Sequence, residues 1–453
     1  MSDPSTEGES NGAVAGPDPL TPSERAAMLR AERPRMRQLP FAPLAEPARR
    51  QLPLAATTRD VDAVRPIYCV WELTLACDLA CRHCGSRAGK ARPDELTTAE
   101  CLELVRQLAE LGVKEVSLIG GEAYLREDWL VIVEAIRDAG MLTNLTTGGR
   151  GMTAERARAA FAAGLRDASV SVDGLEAAHD RLRGVHGSFR AALEAMDHLR
   201  TAGLRVGNNT QINRLTMPDL PALQETLLAH GSRSWQLHLT VPMGRAADEP
   251  EVLLQPHDLL ELFPIMPALK ARADQAGMLL WRGNSLGYFG PYEALLLGWM
   301  PDGHGQGCGA GRNVLGVEAD GTIKGCPSLS TEKWSAGNFR DAALREIWER
   351  GGPVRYTRDR TVDDLWGYCR TCYYADTCRA GCTWMSDSLL GRPGNNPFCH
   401  HRALELRREG KRERIERIAE APGKPFDAGL FQVILEDWPV VAPVVAGAGG
   451  DVR

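Results

Sequence analysis

The sequence predicts an α/β fold, a partial (β/α)6 TIM-like barrel followed by a loop-rich C-terminal domain. Strand-like and helix-like stretches alternate with short links from Pro66 to about Thr240, which is typical of a parallel sheet or barrel. The strands are too few for a closed (β/α)8 barrel. From Cys308 to Cys399 the pattern becomes rich in loops and cysteine, so we expect a second domain there.

The barrel elements are predicted from residue type and periodicity. The predicted strands are Ile67–Leu75, Lys114–Ile119, Leu142–Thr146, Ala168–Val172, Arg205–Ile212 and Ser234–Thr240. The predicted helices between them are Thr97–Leu111, Arg126–Ala139, Thr153–Ala163, Ser188–Ala202 and Met217–Ala229. A hairpin is predicted at Val314–Ile323, where Asp320-Gly321 supplies the turn.

Changes in composition suggest the domain boundaries. Residues 1–65 are predicted to be disordered or loosely packed, and residues 66–300 form the barrel with its following helices. Residues 301–402 form the cysteine-rich domain, and residues 403–453 are predicted to be a charged helix and a tail.

Charge and hydropathy narrow the class of protein. The chain has 453 residues and a formal net charge of −6, which gives no basic footprint for nucleic acid. Apolar runs are too short for a transmembrane helix, and the polar N-terminus lacks the apolar region of a signal peptide. We expect a cytoplasmic protein with no nucleic-acid or membrane partner.

Polar residues share one face of several predicted strands. Because helices cover the outside of such a barrel, we expect these side chains to face the lumen and to hold a polar ligand. The alternative is that they are solvated edges. The residues are Glu72, Thr74, Ser169, Ser171, Asp173, Asn209, Gln211, Asn213, Gln236, His238 and Thr240.

A first cysteine group, Cys77-x3-Cys81-x2-Cys84, follows the first strand directly. Twelve cysteines in a cytosolic chain favour metal binding or chemistry over disulfides. Three thiolates in one short loop can hold three irons of a [4Fe–4S] cube and leave the fourth iron open to a small molecule. Zinc is the alternative, although a structural zinc site is normally closed by a fourth ligand, and His83 lies inside the motif.

The cysteine spacing, together with Gly120-Gly121-Glu122 after the second strand, resembles the signature of radical S-adenosylmethionine (SAM) enzymes. The resemblance implies that Gly120, Gly121 and Glu122 bind the methionine amino group of SAM. The family's usual proline after this glutamate is replaced by Ala123. Without the resemblance, Glu122 could be a helix N-cap and the glycines a turn.

Further segments carry the same resemblance. The stretch VSVDG ends the fourth strand, and His179-Asp180, Arg183-Gly184 and Gly187-Ser188-Phe189 follow it. By resemblance, Ser171 and Arg183 help to hold the SAM carboxylate and ribose, while Asn209 and Gln211 are further candidates for SAM contact. The implied chemistry is reductive cleavage of SAM to a 5′-deoxyadenosyl radical, which takes a hydrogen atom from the substrate.

The C-terminal cysteines resemble the SPASM extension of peptide-modifying radical SAM enzymes. The resemblance assigns Cys369, Cys372, Cys378 and Cys399 to one auxiliary [4Fe–4S] cluster, and Cys308, Cys326 and Cys382 to another. Three clusters and SAM are thus the implied cofactors, and the C-terminal domain is an iron–sulfur domain. The second auxiliary cluster is either open to substrate or closed by a non-cysteine ligand such as His304. A zinc ribbon over Cys369–Cys382 is the alternative, and Cys69 and Cys101 are expected to be buried.

Three functions follow as hypotheses. The first is oxidative modification of a ribosomally made precursor peptide by a C–C, C–O or thioether crosslink, with a flavodoxin- or ferredoxin-type reductant. Pro327 stands where sulfatase-maturing relatives carry Asp, which argues against aldehyde formation. The irregular N-terminus is too short for a winged-helix recognition module, which leaves peptide recognition to a separate protein or to the C-terminal regions. The others are oxidation or decarboxylation of a small metabolite, and a non-enzymatic iron–sulfur electron carrier.

Overall fold

The computed structural model describes residues 64–286, 289–297 and 308–439. Its main sheet has nine strands in the order β7-β6-β5-β4-β3-β2-β1-β8-β9. All neighbours are parallel except β8 and β9, which form an antiparallel pair. The strands are Tyr68–Glu72, Glu115–Ile119, Leu142–Thr147, Asp167–Ser171, Arg205–Ile212, Ser234–Leu239, Leu279–Arg282, Val314–Val317 and Ile323–Lys324.

Helices connect the parallel strands and continue into the cysteine-rich part. In chain order, helices α1 to α9 are Thr98–Leu111, Trp129–Asp138, Ala154–Ala163, Glu176–Arg183, Ser188–Thr201, Leu220–Ala229, Arg245–Asp248, Leu259–Leu262 and Met266–Gln275. Helices α10 to α17 are Glu293–Leu297, Thr331–Trp334, Leu344–Arg350, Gly352–Asp359, Tyr368–Thr371, Ala375–Cys378, Thr383–Leu390 and His400–Arg408. In the described ranges, every helix falls short of the length and apolarity that a membrane crossing requires.

The predicted α/β fold with a partial barrel is confirmed. The six predicted strands correspond to β1–β6, and β8 and β9 form the predicted hairpin around Asp320-Gly321. Two elements were not predicted from the sequence: β7, which extends the sheet beyond β6, and α4, which follows the VSVDG segment. It was also not predicted that β8 pairs with β1 and so joins the cysteine-rich segment to the barrel sheet.

One face of the sheet packs under the helices and forms the core. In β6, Trp235, Leu237 and Leu239 are buried, whereas the alternating Gln236 and His238 are only half-buried. The same alternation in β4 and β5 leaves Ser169, Ser171, Asn209 and Gln211 half-buried on the opposite face. The strand faces are therefore as predicted.

Polar residues at the strand ends are buried and form hydrogen bonds. Thr74 donates to Glu95 (Oγ1 to Oε1, 2.9 Å), and the Asn213 amide donates to Thr240 Oγ1 at 3.2 Å. Glu72 accepts from Arg92 at 3.1 Å and from the backbone N–H of Ala319 at 3.3 Å. A buried polar group without a hydrogen-bond partner is energetically costly, so each of these groups is paired. The resulting hydrogen bonds connect neighbouring segments of the chain.

The C-terminal part differs from the predicted helix and tail. Helix α17 ends at Arg408, and a second sheet follows, formed by the antiparallel strands β10, Lys411–Ala419, and β11, Leu430–Asp437. The charged run was misread as helical because alternating Arg and Glu also suits a strand with one solvated face. Ile415 and Phe431 bury the inner face of the hairpin.

Candidate functional site

The loop carrying Cys77, Cys81 and Cys84 lies at the carboxyl end of β1 and is held by backbone hydrogen bonds. Cys77 N–H donates to Gly89 O (3.1 Å), and Ala80 N–H donates to Arg183 O (3.2 Å) at the end of α4. A Cβ on Gly184 would collide with the Ala80 carbonyl, so glycine is required for this close approach.

The three thiols of this loop lie close together, which is reflected in the pKa of Cys77. Burial is the largest cause for Cys77, whose pKa rises to about 12, and Glu122, Cys81 and Cys84 raise it further. Backbone N–H groups point at the sulfurs: Leu79 donates to Cys77 Sγ and Ala88 to Cys84 Sγ, both at 3.4 Å. Converging thiols with N–H donors aimed at them fit an iron–sulfur cluster, whose sulfurs accept such bonds.

Gly120 and Gly121 bring the end of β2 against this loop. Gly121 N–H donates to Thr74 O at 2.8 Å, and Glu122 N–H donates to Ala76 O at 2.7 Å. Side chains at Gly120 and Gly121 would collide with the Thr74 and Ala76 carbonyls. The paired glycines therefore place Glu122 beside the cysteine loop.

Glu122 is buried at the carboxyl end of the strands. It accepts hydrogen bonds from Thr147 Oγ1 (2.7 Å) and from the Gly148 backbone N–H (2.5 Å). Burial raises its pKa to about 7, against the lowering effect of these two donors. A buried carboxylate with a raised pKa is well suited to bind a cation, because a positive partner offsets the cost of its burial.

Asp173 joins three parts of the site. Its carboxylate accepts from Arg183 Nη2 (2.5 Å), from the Gln211 backbone N–H (2.6 Å) and from His83 Nε2 (3.3 Å). The other terminal nitrogen of Arg183, Nη1, lies 3.8 Å from Cys81 Sγ. Although burial opposes ionisation, Arg183 and His83 hold the pKa of Asp173 well below its usual range.

Three buried polar atoms around the cysteine loop have no hydrogen-bond partner among the described residues. They are Asp78 Oδ1, His83 Nδ1 and Arg183 Nε. Such atoms are rare in folded proteins, and their grouping around the cysteine loop fits a polar ligand at this place. The residues present therefore fit SAM.

Polar side chains lie side by side on three neighbouring strands. Ser171 on β4 is paired with Asn209 on β5, which is paired with Gln236 on β6. Two residues further along the same strands, Gln211 on β5 is paired with His238 on β6. All five are half-buried on the inner face of the sheet. The structure thus places Ser171, Asn209 and Gln211 on the inner face, with Gln211 joined through its backbone to Asp173.

Cys369, Cys372, Cys378 and Cys399 line one partly open pocket. Burial and the other three thiols raise the pKa of Cys378. The Asn396 backbone N–H donates to Cys369 Sγ and that of Tyr374 to Cys372 Sγ, each at 3.4 Å. These are the four cysteines that the sequence resemblance grouped together, and they fit an auxiliary cluster.

Cys308, Cys326 and Cys382 form the other group. Burial raises the pKa of Cys382, and Cys308 and Cys326 raise it further. Burial, followed by Cys308, raises the pKa of Cys326 to about 11. His304, the suggested alternative ligand, lies outside the described residues. Cys69 and Cys101 are fully buried, as predicted.

Among the described residues, no group of three or more Cys, His, Asp or Glu side chains has the close spacing that a single bound metal ion requires. Sequence reasoning missed Glu95 and Tyr124. Glu95 accepts from Leu75 N–H at 2.9 Å, and the Tyr124 hydroxyl donates to Asp78 at 3.1 Å. Their partners lie 20 or more residues away, so local sequence patterns carried no signal for these contacts.

Comparison with known proteins adds two family matches. Residues 71–226 match the radical SAM superfamily, and residues 308–373 match SPASM, an iron–sulfur cluster-binding domain. The first range contains the loop of Cys77, Cys81 and Cys84 together with Gly120-Gly121-Glu122 and Asp173.

Several curated proteins are similar over most of the chain. Mycofactocin maturase MftC of Mycolicibacterium smegmatis is 31% identical over 350 residues, which cover 75% of this chain and 84% of that protein. AdoMet-dependent heme synthase of Methanosarcina barkeri is 30% identical, with coverages of 74% and 97%. PqqA peptide cyclase of Ruegeria pomeroyi is 30% identical, with coverages of 75% and 90%.

Solved structures share the fold. SuiB of Streptococcus suis bound to its precursor peptide SuiA superimposes with a TM-score of 0.58 at 16% identity, covering 74% of this chain and 76% of SuiB. The anSMEcpe enzyme with bound AdoMet and a peptide superimposes with a TM-score of 0.59 at 16% identity, covering 75% and 95%.

Proposed function

Because this chain belongs to the radical SAM superfamily and carries a SPASM iron–sulfur domain, we propose that it modifies a ribosomally made precursor peptide by oxidative crosslinking. It is a radical SAM enzyme that uses SAM and several [4Fe–4S] clusters. The observation that carries the proposal is that the fold brings cysteines together in three separate groups, two of which begin within the SPASM match at residues 308–373.

Each cysteine group is proposed to hold one cluster. Cys77, Cys81 and Cys84 would hold the SAM-binding cluster, and their N–H···S contacts support this role. The four cysteines that line one pocket, Cys369, Cys372, Cys378 and Cys399, would hold one auxiliary cluster. Cys308, Cys326 and Cys382 would hold the other, with its fourth position open or filled by a residue outside the described ranges.

The side chains around the first group would bind and orient SAM. Glu122 would offer its buried carboxylate to the SAM ammonium, and Arg183 and Ser171 would hold the SAM carboxylate and ribose. Asn209 and Gln211 line the inner face beyond them. When bound, the reduced cluster and SAM supply a 5′-deoxyadenosyl radical that abstracts a hydrogen atom, and the surrounding sheet would orient the substrate and exclude water.

Relatives support a peptide as substrate. One relative is named as a maturase, mycofactocin maturase MftC, and another as a peptide cyclase, PqqA peptide cyclase; they are 31% and 30% identical to this chain. We propose that recognition uses a separate peptide-binding protein or the C-terminal regions, that a flavodoxin or ferredoxin supplies electrons, and that the enzyme works in the cytoplasm.

A second candidate is modification of a small metabolite, including its oxidation or decarboxylation. It is favoured by the 30% identity to an AdoMet-dependent heme synthase, 97% of whose length is covered. This relative is as similar in sequence as the peptide-modifying ones.

One experiment separates the two candidates. The reconstituted enzyme is incubated anaerobically with SAM, dithionite and a synthetic peptide encoded by a short reading frame beside its gene, and in parallel with an iron porphyrin precursor of heme. We expect a peptide product lighter by two hydrogen atoms, formed together with 5′-deoxyadenosine. If the peptide is unchanged and the porphyrin loses carbon dioxide, modification of a small metabolite is favoured instead.

A further inference from the structure

Asp173 occupies the point where the cysteine loop, α4 and β5 meet. It is fully buried and follows β4 by two residues. Its two carboxylate oxygens accept hydrogen bonds from different partners. Oδ1 accepts from the Gln211 backbone N–H at 2.6 Å, and Oδ2 accepts from Arg183 at 2.5 Å, with His83 Nε2 at 3.3 Å.

These contacts leave little freedom for the Arg183 guanidinium. One terminal nitrogen is held by Asp173, and the planar geometry of the group then fixes the direction of the other. That second nitrogen, Nη1, faces Cys81 Sγ at 3.8 Å. The Nε atom is buried and has no partner among the described residues, so it remains available to a ligand.

We propose that Asp173 is a positioning residue that holds Arg183 against the sulfur of Cys81 and thereby raises the midpoint potential of the SAM-binding cluster. The inference rests on the proposed function, since it takes Cys81 as a cluster ligand. Reduction adds negative charge to a cluster, and an N–H donor at a ligand sulfur stabilises that charge. Hydrogen bonds to the sulfurs are one of the factors that set such potentials.

A positioning role and a simple charge effect predict opposite signs. If Asp173 acted only through its negative charge, Asp173→Asn would remove that charge and raise the potential of a nearby cluster. If Asp173 holds Arg183 in place, the weaker amide acceptor releases the guanidinium and the potential falls. The sign of the shift therefore distinguishes the two roles.

The test is a potentiometric titration of the reconstituted full-length enzyme, followed by electron paramagnetic resonance without SAM. The cluster of interest is identified beforehand as the signal that changes when SAM is added. Asp173→Asn and Arg183→Lys are compared with wild type. Asp167→Asn is the matched control, because Asp167 also pairs with an arginine (Arg205, 2.5 Å) but lies at the start of β4 and is half-exposed.

We expect both site variants to lower the potential and the control to leave it unchanged. At a fixed solution potential, the ratio of reduced to oxidised cluster should fall about tenfold. This corresponds to a decrease of about 59 mV in the midpoint potential of a one-electron couple. Lysine keeps the charge but loses the planar fork, so Arg183→Lys carries the test even if Asp173→Asn does not fold.

An unchanged or higher potential in Asp173→Asn, or an unchanged one in Arg183→Lys, would overturn the inference. Loss of the cluster from both folded variants would also overturn it, because the pair would then be needed for cluster assembly. A wild-type protein without a SAM-responsive signal would instead contradict the proposed function itself.

Discussion

At the scale of single residues, the site depends on close approaches that only a few residue types allow. Gly120 and Gly121, which follow β2, lie against the backbone carbonyls just before the cysteine loop, so that Glu122 lies beside this loop. The sequence motifs predicted the cysteines and Glu122 directly. They could not predict that Asp173, Arg183 and His83 meet, because only the folded chain brings these separate segments together.

Replacing Cys77 by alanine should abolish SAM cleavage and lower the iron content by about four per chain, one [4Fe–4S] cluster. The auxiliary groups should keep their iron, since they lie on other elements. Iron analysis and 5′-deoxyadenosine assay check this. Cys101→Ala is the control, because Cys101 is buried in the core and belongs to none of the three cysteine groups. A Cys77→Ala enzyme that still cleaves SAM would contradict the assignment.

Glu122→Gln should weaken SAM binding without loss of the cluster. Thr147 Oγ1 and the Gly148 N–H donate to different oxygens of the carboxylate, so the single oxygen of the amide can replace only one of these acceptors. The amide also no longer offers a charge to the SAM ammonium. A hydrogen bond to a charged group contributes about 1.5–3 kcal/mol, so we expect about a 10- to 150-fold increase in Kd. Anaerobic calorimetry measures this, and equal affinity in the two proteins would exclude Glu122 as a SAM contact.

At the scale of elements, periodicity was informative wherever a strand had one buried face. Strands β3, β4 and β6 alternate clearly, and all six strands β1–β6 were predicted, with β5 matched over its full length, Arg205–Ile212. Strand β7 is only four residues long, so its pattern was too short to recognise. The β10–β11 hairpin was missed because its apolar residues are scattered among charges, and its packing depends on distant partners such as Gln255, which accepts from Ile415 N–H.

The hairpin should be an integral part of the fold. Phe431 is 3% exposed, and a buried Phe→Ala change typically costs about 3–5 kcal/mol in the free energy of unfolding. Leu435 lies on the same strand but is 57% exposed, so Leu435→Ala should change stability by less than about 0.5 kcal/mol. Anaerobic urea unfolding of the two variants compares them, and equal effects would indicate that the hairpin is not packed as described.

At the scale of the whole molecule, a buried ion network joins the barrel to the SPASM segment. Arg92 bridges Glu72 on β1 and Glu318, which follows β8, at 3.1 Å each. Lys324 on β9 also pairs with Glu318 and lies 4.0 Å from the centre of the Phe426 ring. Paired strands and shared charges thus connect the proposed SAM site to the segment with the auxiliary cysteines.

This network should make stability depend on pH. Burial is the largest cause that raises the pKa of Glu72, from 4.5 to about 7 despite Arg92. The folded state therefore binds the extra proton more tightly, and this contribution to stability is lost as pH rises from about 4.5 through 7. The full effect is up to about 3 kcal/mol.

Urea unfolding of the holoenzyme between pH 6 and 8 tests the Glu72 prediction. Wild type should lose stability across this range, and Glu72→Gln should show a flatter dependence because glutamine does not titrate. Parallel slopes for the two proteins would mean that Glu72 does not titrate in this range.

The central claim is that three cysteine groups hold iron–sulfur clusters and that one of them activates SAM. The most direct measurement is anaerobic reconstitution, followed by metal analysis and a SAM cleavage assay with dithionite. We expect about twelve irons per chain and the formation of 5′-deoxyadenosine. Bound zinc with little iron, and no cleavage of SAM, would contradict it.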